Sequence, residues 1–93
     1  MYTGYFPEIK HDRIQVKICG ITAVEDALAC AAWGADAVGL VFYPKSHRFV
    51  TTDQAARIAS VLPSHVARVG VFVNESFDTL TKTASACGLT AVQ

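Results

Sequence analysis

Four short apolar runs alternate with three amphipathic stretches along this chain, and that alternation limits what it can fold into. Residues 14–19, 36–42, 66–73 and 89–93 are rich in β-branched and aliphatic side chains. The stretches between them place apolar residues on one helical stripe. An order β-α-β-α-β-α-β with short connections implies parallel strands joined by right-handed crossovers. After Asp36 the second run is apolar throughout, and the third is broken only by Arg68, as expected for strands covered on both faces. Strands recur roughly every 23–28 residues, close to the repeat of a (β/α)8 barrel of about 200–250 residues.

Local signals mark the helix ends. Thr22 is placed to cap a first helix over residues 23–33, with Glu25 and Asp26 in the first turn, where the helix dipole favours acids. Val24, Leu28, Ala31 and Ala32 form its stripe, Trp33 packs at its end and Gly34 closes it. Thr51 and Gln54 have the spacing of a capping box, Ala55, Ile58, Ala59 and Leu62 follow on one face, and Pro63 stops that helix. Ser76 caps a third helix with Phe77, Leu80, Ala84 and Cys87 on one face and Gly88 after it. Gly39, inside the second strand, suggests the close approach of a neighbour or a packing need.

Ninety-three residues make one small domain. Residues 1–13 carry aromatics without a period and read as an N-terminal extension. Residues 14–93 read as a partial barrel domain ending within its fourth strand. The first and fourth strands would then each present an unpaired edge. The expected fold is therefore α/β, the N-terminal half (βα units 1–3 plus strand 4) of a (β/α)8 barrel. Self-association through the exposed sheet edges is the other way to cover them.

Eight basic and eight acidic residues balance to zero, so there is no basic field for nucleic acid. No run suits a signal peptide or a membrane span. Cys19, Cys30 and Cys87 are odd in number and widely spaced, which argues against a disulfide framework and for a reducing cytoplasm. His11, His47 and His65 lack ligand spacing, so no metal is expected.

The chemistry centres on residues 16–22, Val-Lys-Ile-Cys-Gly-Ile-Thr. Gly20 breaks the first strand, which sets Cys19 at the edge of the sheet where ligands bind in βα folds. Lys17 is two residues earlier, on the same face. An ammonium beside a thiol favours the thiolate, the form that takes up a proton. The plainer reading of Cys19 is a small apolar residue packed at a strand end. Arg48, in a loop with Lys45 and His47, reads by itself as a solvated charge. Asn74 ends the third strand on the rim where a pocket is expected. Cys30 and Cys87 lie on helices and read as core.

Several motifs in fixed order resemble one family. They are Lys17-Ile-Cys-Gly-Ile-Thr22, Asp26-Ala27, Gly34-Ala-Asp-Ala-Val-Gly39, Val41-Phe-Tyr-Pro-Lys-Ser46 with Arg48, and Val69-Gly-Val-Phe-Val-Asn74. Together, over residues 15–93, they look like phosphoribosylanthranilate isomerase, an aldose–ketose isomerase of tryptophan biosynthesis with a (β/α)8 barrel and slightly more than twice this length. The resemblance implies an Amadori rearrangement of N-(5-phosphoribosyl)anthranilate to 1-(2-carboxyphenylamino)-1-deoxyribulose 5-phosphate, without a cofactor. It implies Cys19 as general base, Lys17 in support, and Arg48 holding the anthranilate carboxylate, which a planar guanidinium can grip with two hydrogen bonds. His47 stands where the family pattern has Pro. The family's general acid is an Asp on a later strand, and its phosphate grip follows the last two strands. Asp36, Asp53 and Asp78 match neither, so these 93 residues alone are expected to be inactive. The competing readings are a non-catalytic, self-associating half-barrel, a flavodoxin-like βα module, and another phosphosugar barrel of the same pathway, against which the Lys17–Thr22 and Tyr43–Arg48 motifs speak.

Overall fold

The computed structural model describes residues 14–93; the extension expected over residues 1–13 lies outside them. Seven elements follow in the expected order: β1 (Lys17–Cys19), α1 (Val24–Ala32), β2 (Ala37–Val41), α2 (Thr52–Val61), β3 (Ala67–Val71), α3 (Phe77–Cys87) and β4 (Ala91–Val92). The strands are parallel and lie in sequence order, β1-β2-β3-β4.

Alternation along β2 explains its unbroken apolar character. Val38, Leu40 and Phe42 join one cluster with Ala27 and Cys30 of α1, Ala55 and Ile58 of α2, and Cys87 of α3. Ala37 faces the other way, into a second cluster with Ala67 and Val69 that Ala91 packs against. All three helices therefore cover one face of the sheet, and small side chains line the opposite face. Sequential strands with helices on a single face belong to a singly wound barrel; a flavodoxin-like sheet has strand order 2-1-3-4-5 and helices on both faces. The architecture is that of the opening βα units of a (β/α)8 barrel.

The helix signals are realised unevenly. In α2 the Thr51 hydroxyl accepts from Gln54 N–H (3.2 Å) and the Gln54 side chain accepts from Thr51 N–H (2.9 Å), a complete capping box. Ser76 caps α3, and Gly88 ends it in the left-handed conformation. Thr22 does not cap α1: the helix starts one residue later, after Ala23, which has no side chain able to cap it. The stripe of α1 is also rotated from the expected one. Ala27 and Cys30 are buried, and Val24 and Ala31 pack beside them, but Leu28 is half exposed. Small residues on the buried face let the helix sit close to β2 and turn the larger Leu28 aside. Trp33 does not pack at the helix end; it is 86% exposed.

Two polar side chains fasten the end of the sheet where strands begin. The buried Asp36 carboxylate accepts from Val16 N–H (2.8 Å), tying β1 to β2. The Arg68 guanidinium donates to the carbonyls of Ala59, Leu62, Pro63 and Val66 (2.7–3.1 Å). The Leu62 carbonyl lies just past the end of α2, where carbonyls run out of helical N–H partners, and the Ala59 carbonyl accepts from both Arg68 and Leu62 N–H (3.3 Å for the latter). None of the described helices is long and apolar enough to cross a membrane.

Candidate active site

β1 ends at Cys19 because Gly20 turns the chain with φ +82°, a conformation that side-chain-bearing residues rarely adopt. The turn is held by β2: Gly20 N–H and Ile21 N–H both donate to the Gly39 carbonyl (3.0 and 3.2 Å). Cys19 is paired with Gly39 in the sheet register, so the two share a face. This is the face opposite the helices. Of the three thiols, Cys19 is exposed whereas Cys30 and Cys87 are buried.

Lys17 pairs with Ala37 and lies on the same face as Cys19. Its ammonium donates to the Gln93 side-chain carbonyl, spanning the sheet from β1 to the end of β4. Between them on this face the register places Ala37 and Gly39 on β2, Ala67 and Val69 on β3, and Ala91 on β4.

Arg48 reaches the same place from the β2–α2 loop. Its Nη1 donates to the Gly20 carbonyl (3.2 Å), and its side-chain stem lies over the Gly20 Cα. The loop is pinned at several points: Ser46 N–H to the Tyr43 carbonyl, Arg48 N–H to Ser46 Oγ, and Val50 N–H to the Val41 carbonyl. The guanidinium thus meets the residue that follows the exposed thiol. Asn74 stands beyond the C-terminal end of β3, exposed, in the left-handed region with φ 53°. It shares the rim with Cys19 through topology.

Asp36 is buried at the opposite end of β2, Asp53 lies in the first turn of α2, and Asp78 pairs with Lys82 on the surface of α3 (3.1 Å). Cys87 is held against α2, its thiol donating to the Thr52 carbonyl (3.5 Å), and burial, with the Asp53 carboxylate adding, pushes its pKa up. Among the described residues, no three His, Cys, Asp or Glu are grouped to hold a metal.

Sequence reasoning singled out Lys17, Cys19, Arg48 and Asn74. The structure sets the Arg48 guanidinium against Gly20, the residue that follows Cys19. It gives Lys17 a partner that reasoning missed, Gln93, whose only sequence signal was its position at the end of the fourth apolar run. The contact of Arg48 with Gly20 spans 28 positions and has no sequence signal apart from the motif.

Residues 16–93 match the family described as N-(5'-phosphoribosyl)anthranilate (PRA) isomerase. The N-(5'-phosphoribosyl)anthranilate isomerase of Thermotoga petrophila is 55% identical over 80 residues, covering 86% of this chain and 39% of that protein. The crystal structure of phosphoribosyl anthranilate isomerase from Thermotoga maritima overlays with a TM-score of 0.86 at 54% identity, covering 87% of this chain and 40% of that one. A phosphoribosyl anthranilate isomerase in complex with reduced 1-(o-carboxyphenylamino)-1-deoxyribulose 5-phosphate overlays equally well, with TM-score 0.86, 54% identity, and 87% and 42% of the two chains. The chain spans about two-fifths of the length of the curated relatives it matches.

Proposed function

The chain belongs to the N-(5'-phosphoribosyl)anthranilate isomerase family, and from that premise we propose that it supplies the base-bearing part of an isomerase active site. The reaction is the Amadori rearrangement of N-(5-phosphoribosyl)anthranilate to 1-(2-carboxyphenylamino)-1-deoxyribulose 5-phosphate, in tryptophan biosynthesis and without a cofactor. The observation that carries the proposal is the contact of the Arg48 guanidinium with the Gly20 carbonyl, directly after the exposed Cys19 at the end of β1. The product-like molecule bound to a relative supports the substrate class.

In this reading, a general acid protonates the furanose ring oxygen and the C1–O bond opens to a Schiff base. The Cys19 thiolate removes the C2 proton, and its electron pair moves into the C1–C2 bond to give an enolamine. Tautomerisation of the enolamine yields the ketone. Arg48 grips the anthranilate carboxylate and so fixes the amine end of the substrate over Cys19. Lys17 holds positive charge on the same face, and Asn74 lines the rim. Asp36 lies at the opposite end of the sheet, and Asp53 and Asp78 lie in the first turns of α2 and α3, in the helix layer. The family resemblance puts the acid on a later strand and the phosphate grip after the last two strands of a complete barrel, and no residue of 14–93 is assigned to either role.

The test is turnover by this chain with the C-terminal half of a related barrel supplied in trans. Turnover that needs both parts and is lost with Cys19→Ala is the expected result. No turnover from the combination would remove the proposal, and turnover by the 93 residues alone would overturn the placement of the acid elsewhere.

A further inference from the structure

We propose that Gly39 is a positioning residue for Cys19: the missing side chain on β2 is the seat of the thiol. The inference rests on the reading of Cys19 and Arg48 as a working pair and adds what sets their relative position. A Cβ placed on Gly39 would lie 2.8 Å from Cys19 Sγ, closer than such atoms approach in proteins, and 3.1 Å from Cys19 Cα. Cysteine has one side-chain torsion, so its sulfur can leave that spot only by changing rotamer. An occupied position 39 would therefore turn the thiol off β2 and out over the open face, and the strands would also give slightly where the new Cβ meets Cys19 Cα and Cβ (3.1 and 3.3 Å).

The same glycine acts through its backbone. Its carbonyl takes the N–H groups of both Gly20 and Ile21, which fixes the turn directly after the thiol. That turn is in turn the seat of Arg48: a Cβ on Gly20 would lie 3.1 Å from Arg48 Cγ, and the Gly20 carbonyl holds Nη1. One glycine thus sets the thiol directly and the guanidinium through a single intervening turn. Gly70 shows the contrast. A Cβ there would meet Leu89, Phe72 and Phe42, all apolar and on the helix side, and no candidate site residue. That close approach serves packing alone.

Alkylation of Cys19 tests this without any turnover, so its outcome is separate from that of the isomerase proposal. The folded 93-residue chain and its Gly39→Ala variant are treated with iodoacetamide, and each thiol is followed by peptide mass mapping. The expected result is a rise of about threefold or more in the rate at Cys19, with Cys30 and Cys87 still protected as markers of the fold. A rate at Cys19 that stays within about twofold of the parent, or falls, overturns the proposal. Urea unfolding of Gly39→Ala in the parent and in a Cys19→Ala background provides a second readout. A smaller shift in midpoint when the sulfur is absent supports the seat; equal shifts overturn it. If Gly39→Ala alone fails to fold, recovery of a cooperative transition in the double variant supports the proposal, and continued failure to fold overturns it.

Discussion

Cys87 and Cys19 are chemically the same residue put to different ends. The Cys87 thiol sits against the Thr52 carbonyl in the first turn of α2, and burial with the nearby Asp53 carboxylate raises its pKa. Below the ordinary thiol value of about 8.5, folded and unfolded chains both keep the proton and nothing depends on pH. Above it the unfolded chain releases the proton while the folded chain retains it, so stability falls as pH rises until the raised value is passed. Thermal unfolding between pH 7 and 10 is expected to show that fall, and Cys87→Ala to reduce its slope relative to the parent. For Arg48, Arg48→Lys keeps the charge and loses the planar fork. In the complemented enzyme KM should rise about tenfold with a smaller change in kcat; a KM within about twofold of the parent would dissociate Arg48 from the carboxylate. The position of Cys19 at a strand end was legible, because Gly20 stops an apolar run just after it. Arg48 was legible only as part of a motif. Its contact with Gly20 closes a long loop, and no local pattern encodes such closure.

At the scale of elements, α2 was readable in full because its signals are local. Thr51 and Gln54 satisfy each other's backbone groups within one turn, and Thr51→Ala should cost about 1 kcal/mol in urea unfolding. The stripe of α1 was read with the wrong rotation for a physical reason. A periodicity reading gives weight to large apolar residues such as Leu28, whereas close packing on a sheet selects small ones, here Ala27 and Cys30. Arg68 stood out in the sequence only as the exception in an apolar strand. Its partners are carbonyls, which leave no trace in side-chain patterning. Arg68→Met keeps the aliphatic stem and removes the donors to four carbonyls; it should destabilise the fold by about 2 kcal/mol or more, read as a lowered urea midpoint.

Considered whole, the molecule presents apolar surface along both flanks of its sheet. Val16, Ile18 and Trp33 line a groove beside β1, and Phe77, Leu80 and Val92 line another beside β4. Trp33 is the single tryptophan and is largely in water. Its emission in the isolated chain should be that of solvated indole, readily quenched by acrylamide, and should move to shorter wavelength when a complementing barrel half covers the β1 flank. We propose that the chain alone self-associates through these flanks. Sedimentation should show association that rises with concentration and weakens in Val16→Lys; a strictly monomeric chain would refute it. The singly wound order of the strands was legible from repeat length. The exposure of the flanks was not, since a side chain that looks like core in sequence is surface wherever no neighbouring strand or helix lies beside it.

The polar fasteners of this fold lie at one end of the sheet and the candidate chemistry at the other. Asp36 and Arg68 bind backbone where strands begin, while Cys19 closes β1 and Arg48 and Asn74 stand beyond strand ends. Inherited variation at the second end leaves the fasteners at the first in place. A lineage built on this plan can exchange its rim loops, and with them its substrate, while the descendants keep one ancestral frame.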